Sequence, residues 1–342
     1  MINRSWFGIS IILLSGVFNG SFPLPMKYSR QWKWENTWLI FCLVSLVILP
    51  WSLATGLTPE ILRVYREVPG RALCYPLAFG FLWGIAQVTF GIGIEAVGMA
   101  LTFAVVMGLA CLFGSLIPLL VLAPGDLLQA RGLLLVVSMP VLFLGLIFCG
   151  VAGKRREKET AGSGSPKNAS RMSYLAGLAI CIFTGVFGAN LNLGFAFSGA
   201  IISTSRALGA NAVTSTYPVW ALVLGTGFVP NLIYCGYLLL RNHSWALFER
   251  PGWGKETVIG VAMGVLWLAG IDCYGVGATL VGKQGTSIGF ALFLAVSILS
   301  SNILGVLTGE WKATSRATKR QLAVGVAIVL VAVVILNLSG FF

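Results

Sequence analysis

Leu82-Trp83-Gly84-Ile85-Ala86-Gln87-Val88-Thr89-Phe90-Gly91-Ile92-Gly93 returns half a chain later as Leu266-Trp267-Leu268-Ala269-Gly270-Ile271-Asp272-Cys273-Tyr274-Gly275-Val276-Gly277. The shared Leu-Trp pair and the two spaced glycines hold one constant offset. Further matches keep the same order: Gly98 with Phe103-Ala104 recurs as Gly285 with Phe290-Ala291, and Gly16-Val17-Phe18 as Gly185-Val186-Phe187. Each pair lies about half the chain apart, as a duplicated unit requires. Both copies of the first stretch sit inside apolar runs long enough to cross the roughly 30 Å hydrocarbon layer as helices of about 20 residues.

The composition agrees with those runs. Of 342 residues 57% are hydrophobic and only 10% are charged, against roughly 25% charged in a soluble domain. A water-facing surface for this length needs far more charge, which excludes a soluble globular enzyme. High hydrophobicity excludes a disordered chain. Long unbroken apolar runs, rather than alternating segments of about 10 residues, exclude an outer-membrane barrel. The net charge of +12 is no nucleic-acid signal, because the basic residues fill short gaps between apolar runs instead of one solvated face. The seven cysteines lie mostly inside apolar runs without a CxxC spacing, so neither zinc nor a disulfide framework is expected. The single His243 sits in a polar gap near Arg241 and carries no catalytic pattern. No metal and no cofactor is expected.

Ten runs are expected to span: 6–26, 36–57, 72–94, 98–123, 132–153, 173–197, 212–240, 257–281, 285–308 and 321–341. The first is not a signal peptide, since Pro23 and Pro25 follow it in place of a small-residue cleavage site. A tight hairpin around Glu95 joins the third and fourth. Lys and Arg crowd one set of loops: Lys27, Arg30 and Lys33, then Lys154 to Arg171, then Arg241 to Lys255, then Lys312 to Arg320. The other side carries only Arg4 and scattered single or clustered arginines, with Lys283. The positive-inside rule places the crowded loops in the cytoplasm of an inner membrane and both termini in the periplasm.

Five spans per half is an odd number, so the halves must insert in opposite directions. The expected fold is therefore an all-α polytopic membrane protein: ten transmembrane helices in two inverted five-helix repeats. Residues 1–153 form the first repeat, 154–171 a basic cytoplasmic linker, and 172–342 the second repeat. Inverted repeats are the architecture of secondary transporters, with the substrate site at midplane between them. There is no Walker motif, and the paired glycines lie inside spans rather than after strands, which removes dinucleotide loops. A membrane-embedded enzyme would want His, Asp, Glu or Cys clustered at one face. A sensor would want a soluble output domain. Neither feature is visible.

Particular residues carry a family resemblance. Pro25-Met26-Lys27, Trp32-Lys33-Trp34-Glu35-Asn36-Thr37-Trp38 and Ile48-Leu49-Pro50-Trp51 resemble the first hairpin of the L-rhamnose–proton symporter family, within the drug/metabolite transporter superfamily. Leu82-Trp83-Gly84-Ile85 with Gly98-Met99 resembles its third and fourth spans, Ala207-Leu208-Gly209 with Pro218, Asn231 and Cys235 its seventh, and Gly309-Glu310-Trp311 the end of its ninth. The resemblance covers nearly the whole chain and implies proton-coupled uptake of L-rhamnose or a related sugar by alternating access. It departs at Gly285 to Phe293, which holds neither acid nor His, and at Asp272, where the family pattern is apolar. The alternative within the same fold is an exporter of another small metabolite: amino acid, nucleoside or drug.

For such cargo the candidate binding residues are the in-span amides Asn19, Gln87, Asn190 and Asn192, which both donate and accept hydrogen bonds. The rings of Trp83, Trp267 and Tyr274 offer planes for the C–H face of a sugar. Asp272, the acid well inside a span, is the candidate for proton coupling, since a carboxylate in hydrocarbon is costly and is retained for function. Lys27, Glu35 and Glu310 fall at the cytoplasmic end and are candidates for a gate. The expected partners are sugar, proton and membrane lipid.

Overall fold

A computed structural model describes residues 2–97, 99–122, 124–126, 128–160, 174–282, 285–308, 311–312 and 314–338. The chain runs as helices α1 (Ile2–Ser21), α2 (Trp34–Cys42), α3 (Leu49–Leu57), α4 (Ile61–Glu67), α5 (Gly70–Val97), α6 (Met99–Leu122) and α7 (Ala130–Thr160). It continues as α8 (Tyr174–Gly188), α9 (Asn190–Ala196), α10 (Gly199–Ala207), α11 (Tyr217–Arg241), α12 (Trp253–Val281), α13 (Gly285–Leu307) and α14 (Arg316–Leu338). Among the described residues nine segments are long and apolar enough to cross a membrane. Helices are the form that lets apolar sequence cross lipid, because every backbone N–H and C=O is then paired within the segment. The protein is a multi-pass membrane protein, with many exposed Leu, Val, Ile and Phe on its outer wall.

Two crossings are interrupted. Between α2 and α3 the ladder widens into a π-helical turn, Leu43–Ile48. Pro50 follows in the first turn of α3 and has no N–H for the carbonyl four residues back. The other interruption falls after Gly188, where α9 restarts at Asn190 and turns Asn190 and Asn192 into the protein interior. Short α9 and α10 carry this crossing on to Ala207, past the 197 expected from the sequence. α1 ends at Ser21 and yields to a 3-10 turn, Leu24–Tyr28, at the Pro23 and Pro25 pair. α5 runs through Glu95, where the turn is expected from the sequence, to Val97, and α6 opens at Met99; Gly98 lies outside the described residues.

α7 continues to Thr160, seven residues into the stretch read as linker. Its last turn holds Lys158, a cation well placed against the negative end of the helix dipole. The remaining linker, 161–173, lies outside the described residues. Glu159 at this helix end accepts from Ser315 N and Oγ and from Thr318 Oγ1, each at 2.7 Å, and so fastens α7 to the start of α14. Those bonds hold the exposed Glu159 carboxyl below its usual pKa. Along the same pair a Cβ at Gly145 would sit 2.7 Å from Val329 Cγ2, so the backbones approach as closely as small residues allow.

α1 lies against α12 and α13, α8 and α9 against α5 and α6, α11 against α5, and α2 against α12. The buried centre is aromatic: Trp220, Tyr274 and Phe293 are all fully enclosed.

Candidate substrate cavity

One cavity of about 280 Å³ lies between the two halves of the chain. Its floor is a pair of rings from the repeated stretch. Trp83 on α5 and Trp267 on α12 stack with centroids 5.7 Å apart and planes at 21°. Phe41 meets Trp267 edge-on at 6.1 Å and 85°. Trp83 fits because α5 and α11 cross at glycine: a Cβ at Gly84 would lie 2.4 Å from Gly227 O, and one at Gly227 would lie 2.7 Å from Trp83 Cε3.

Polar groups line opposite sides. Asn19 Nδ2 donates to Ser297 Oγ at 3.0 Å, and Ser297 Oγ donates to Phe293 O at 2.6 Å. Among the described residues no protein partner takes Asn19 Oδ1, and none takes the Gln87 amide, which faces the same space. Thr184 Oγ1 lies 2.8 Å from Thr89 Oγ1 on the neighbouring helix. Asn231, also on the wall, is committed to the protein: Trp38 Nε1 donates to its Oδ1 at 3.2 Å and its Nδ2 donates to Gly227 O at 3.0 Å. An aromatic plane beside unspent amides can hold a neutral, hydroxyl-rich molecule without presenting it a charge.

The cavity runs one way. Its wall reaches Pro23 beyond α1, Arg156 on α7 and Trp311 after α13, all at the end of the bundle where the linker leaves. There the Arg156 guanidinium lies 4.8 Å over the Trp311 ring. Away from the linker the wall stops near mid-helix at Ala110, Leu191, Ile271 and Phe290. The cavity therefore points to the linker face and is closed toward the other.

The candidates from the sequence divide between wall and interior. Asn19, Trp83, Gln87 and Trp267 come together around the cavity. Asn190, Asn192, Tyr274 and Asp272 are not on its wall. Asn190 Nδ2 is turned to Phe187 O at 2.7 Å. Asn192 Nδ2 bonds Gly114 O and Thr286 O, while its Oδ1 accepts from Tyr274 OH. Asp272 follows the lining Ile271 but faces another side of α12, with Tyr217 and Cys273 as its electrostatic neighbours.

At the linker face Lys27 Nζ donates to Thr308 Oγ1 at 2.9 Å. Glu35 is buried and takes Ser244 Oγ at 2.6 Å and Asn242 Nδ2 at 3.0 Å, so it binds the loop after α11. Glu310 lies outside the described residues. Glu256 in the first turn of α12 accepts Ser29 Oγ at 2.6 Å and the Arg30 and Gln31 N–H groups. Glu35 thus ties the start of α2 to the loop after α11, and Glu256 ties the start of α12 to the loop after α1.

An apolar bundle built around a chamber at membrane depth, with ring planes and spare amides, defines a membrane transporter rather than an enzyme. The chain belongs to the L-rhamnose-proton symport protein (RhaT) family, whose family model matches residues 1–341. It is 25% identical to the L-rhamnose-proton symporter of Pectobacterium atrosepticum over 346 aligned residues, covering 99% of each chain. The symporter of Cronobacter sakazakii shows the same 25% identity and coverage. That of Yersinia pestis is 24% identical, again over 99% of both chains.

Proposed function

We propose that the protein takes up L-rhamnose together with protons by alternating access, and that the linker-facing cavity is its substrate chamber in the inward-open state. The observation that carries this reading is the stacked Trp83–Trp267 pair beside the unspent Asn19 and Gln87 groups, held between the two halves. A pyranose can lay its C–H face on the indoles while its hydroxyls meet the amides.

The architecture in this proposal is ten helices in two inverted five-helix repeats, with 1–153 and 172–342 as the repeats. Contacts that repeat with the halves exchanged support it. A Cβ at Gly16 would lie 2.5 Å from Val296 Cβ, and one at Gly185, the matching glycine, 2.7 Å from Leu109 Cβ. Leu109 and Val296 are themselves partners under the offset that relates Gly98 to Gly285. Likewise Gly277 abuts Ile12, and its counterpart Gly93 abuts Cys181, the counterpart of Ile12. The twin tryptophans meet each other, as residues beside a twofold axis would. Inverted halves give a carrier two states of similar energy related by exchanging their roles.

Basic loops at the linker face support a cytoplasmic assignment for it in an inner membrane, with periplasmic termini. In the cycle, sugar and proton enter from the periplasm, the repeats rock, and both leave at the linker face. Asp272 is the proposed coupling acid. It shares α12 with Trp267 and Ile271, so movement of this helix changes the surroundings of carboxyl and sugar site together. Uptake of labelled L-rhamnose by cells expressing the chain tests this. Accumulation that a protonophore abolishes is expected, with Asp272→Asn retaining sugar exchange but losing accumulation. No rhamnose uptake by the unaltered chain overturns the reading, and normal proton-driven accumulation by Asp272→Asn overturns the role of that acid.

A further inference from the structure

The closed end of the cavity has a chemical origin on α6. Pro118 lies inside this helix. Having no N–H, it leaves the carbonyl of the residue four positions earlier, Gly114, without its helical partner. In a membrane such a carbonyl must be answered from elsewhere. Asn192 answers it: its Nδ2 donates to Gly114 O and also to Thr286 O at 3.1 Å, while its Oδ1 accepts the Tyr274 hydroxyl. Tyr274 OH reaches Thr286 O too, at 3.3 Å. One buried amide thus joins α6 of the first half to α9, α12 and α13 of the second.

Each participating residue lies just past the last cavity residue on its helix, on the side away from the linker. Gly114 is one turn beyond Ala110, Asn192 follows Leu191, Tyr274 follows Ile271, and Thr286 precedes Phe290 by one turn. The Phe290 ring fills the place a side chain on Gly114 would take, since a Cβ there would fall 2.4 Å from Phe290 Cε1. Tyr274 also stacks on Phe293 at 5.3 Å and contacts Phe195 at 5.8 Å.

We propose that Asn192, held in place by Tyr274, is the latch of the periplasmic gate, closing the chamber behind the sugar by bonding from the second half to the Gly114 carbonyl of the first. The latch rests on the alternating-access reading above. Opening the periplasmic side must part α6 from α9, α12 and α13. The Asn192–Gly114 bond breaks at that step, and the Gly114 carbonyl then faces an aqueous path that can hydrate it. The latch is therefore affordable in both states, which a bond between two groups buried throughout would not be.

The test is alkylation at position 110 of full-length Ala110→Cys, with a membrane-impermeant maleimide applied from the periplasmic side and read at that residue by mass spectrometry. Tyr274→Phe removes the hydroxyl that orients the Asn192 amide toward Gly114, with little change of shape. It is expected to raise labelling roughly two- to tenfold, the range that one net hydrogen bond between states corresponds to. Asn192→Ala risks misfolding through the orphaned carbonyl, so it is paired with Pro118→Ala, which restores the backbone donor. The double variant is expected to fold and still to label faster. If labelling in the Ala110→Cys parent responds to L-rhamnose but neither variant changes it, the latch is overturned and alternating access stands. If the rise caused by Asn192→Ala vanishes with Pro118→Ala, Asn192 only repairs α6 and the latch is overturned. If position 110 is never labelled from the periplasm in any variant, alternating access through this chamber falls, and the latch with it.

Discussion

Gln87 and Asn192 are both amides in apolar helices, yet they do opposite things. An amide costs free energy in hydrocarbon unless it is bonded, so each one flags itself in the sequence. What it bonds to is not visible there. Asn192 spends both ends on other helices because Pro118, far away in the chain, leaves a carbonyl open. Gln87 keeps its amide for the cavity. Gln87→Leu is accordingly expected to raise the half-saturation concentration for L-rhamnose roughly two- to tenfold, as loss of one hydrogen bond does. The same change should leave thermal stability in detergent nearly unaltered. Uptake kinetics beside a melting curve check both, and a large fall in stability without a change in half-saturation would reassign Gln87 to structure. Ser297 and Thr184 escaped the sequence reading for a physical reason. A hydroxyl on a helix can bond the carbonyl of the preceding turn, as these do to Phe293 O and Ile180 O, so it enters an apolar run without a visible cost.

At the scale of helices, the apolar runs were legible because a bilayer sets their length, while their interruptions were not. The break before Asn190 has no proline to announce it, and the wide turn at Leu43–Ile48 follows from backbone bonding rather than side-chain pattern. The positions of close crossings were partly legible as glycines in the repeated stretch. Their partners came only from the packing. Gly84 faces Gly227 O with no room for a methyl, whereas Gly56 on α3 has open space around it. Gly84→Ala is therefore expected to destabilise the fold by about 1–3 kcal/mol through overpacking. Gly56→Ala should be neutral or stabilising by up to ~1 kcal/mol, since alanine is the better helix former. Melting temperatures of the two variants in one detergent test the contrast, and equal values would mean that α5 and α11 do not cross as described.

For the whole molecule, family membership and the transporter class followed from features spread along the chain: the tryptophan-rich first hairpin, the repeated Leu-Trp stretch and the low share of charged residues. The path of the substrate was less legible. Sequence could nominate four amides, three rings and one acid for a single chamber. Packing divides them into a wall of Asn19, Gln87, Trp83 and Trp267, a bonded pair of Asn192 and Tyr274 beyond its closed end, Asn190 turned to a backbone carbonyl, and Asp272 on a third side. In the proposed cycle this division puts binding, closure and coupling on different faces of the same few helices, and α12 carries a candidate of each kind, Trp267, Tyr274 and Asp272. In the proposed reading the sugar rests against the stacked Trp83–Trp267 pair. A density map of the full-length chain with L-rhamnose in lipid nanodiscs tests it most directly. The account predicts the sugar against Trp83 and Trp267, within hydrogen-bond reach of Asn19 and Gln87. Sugar density beside Asp272 and Tyr217, with the tryptophan chamber empty, would contradict it.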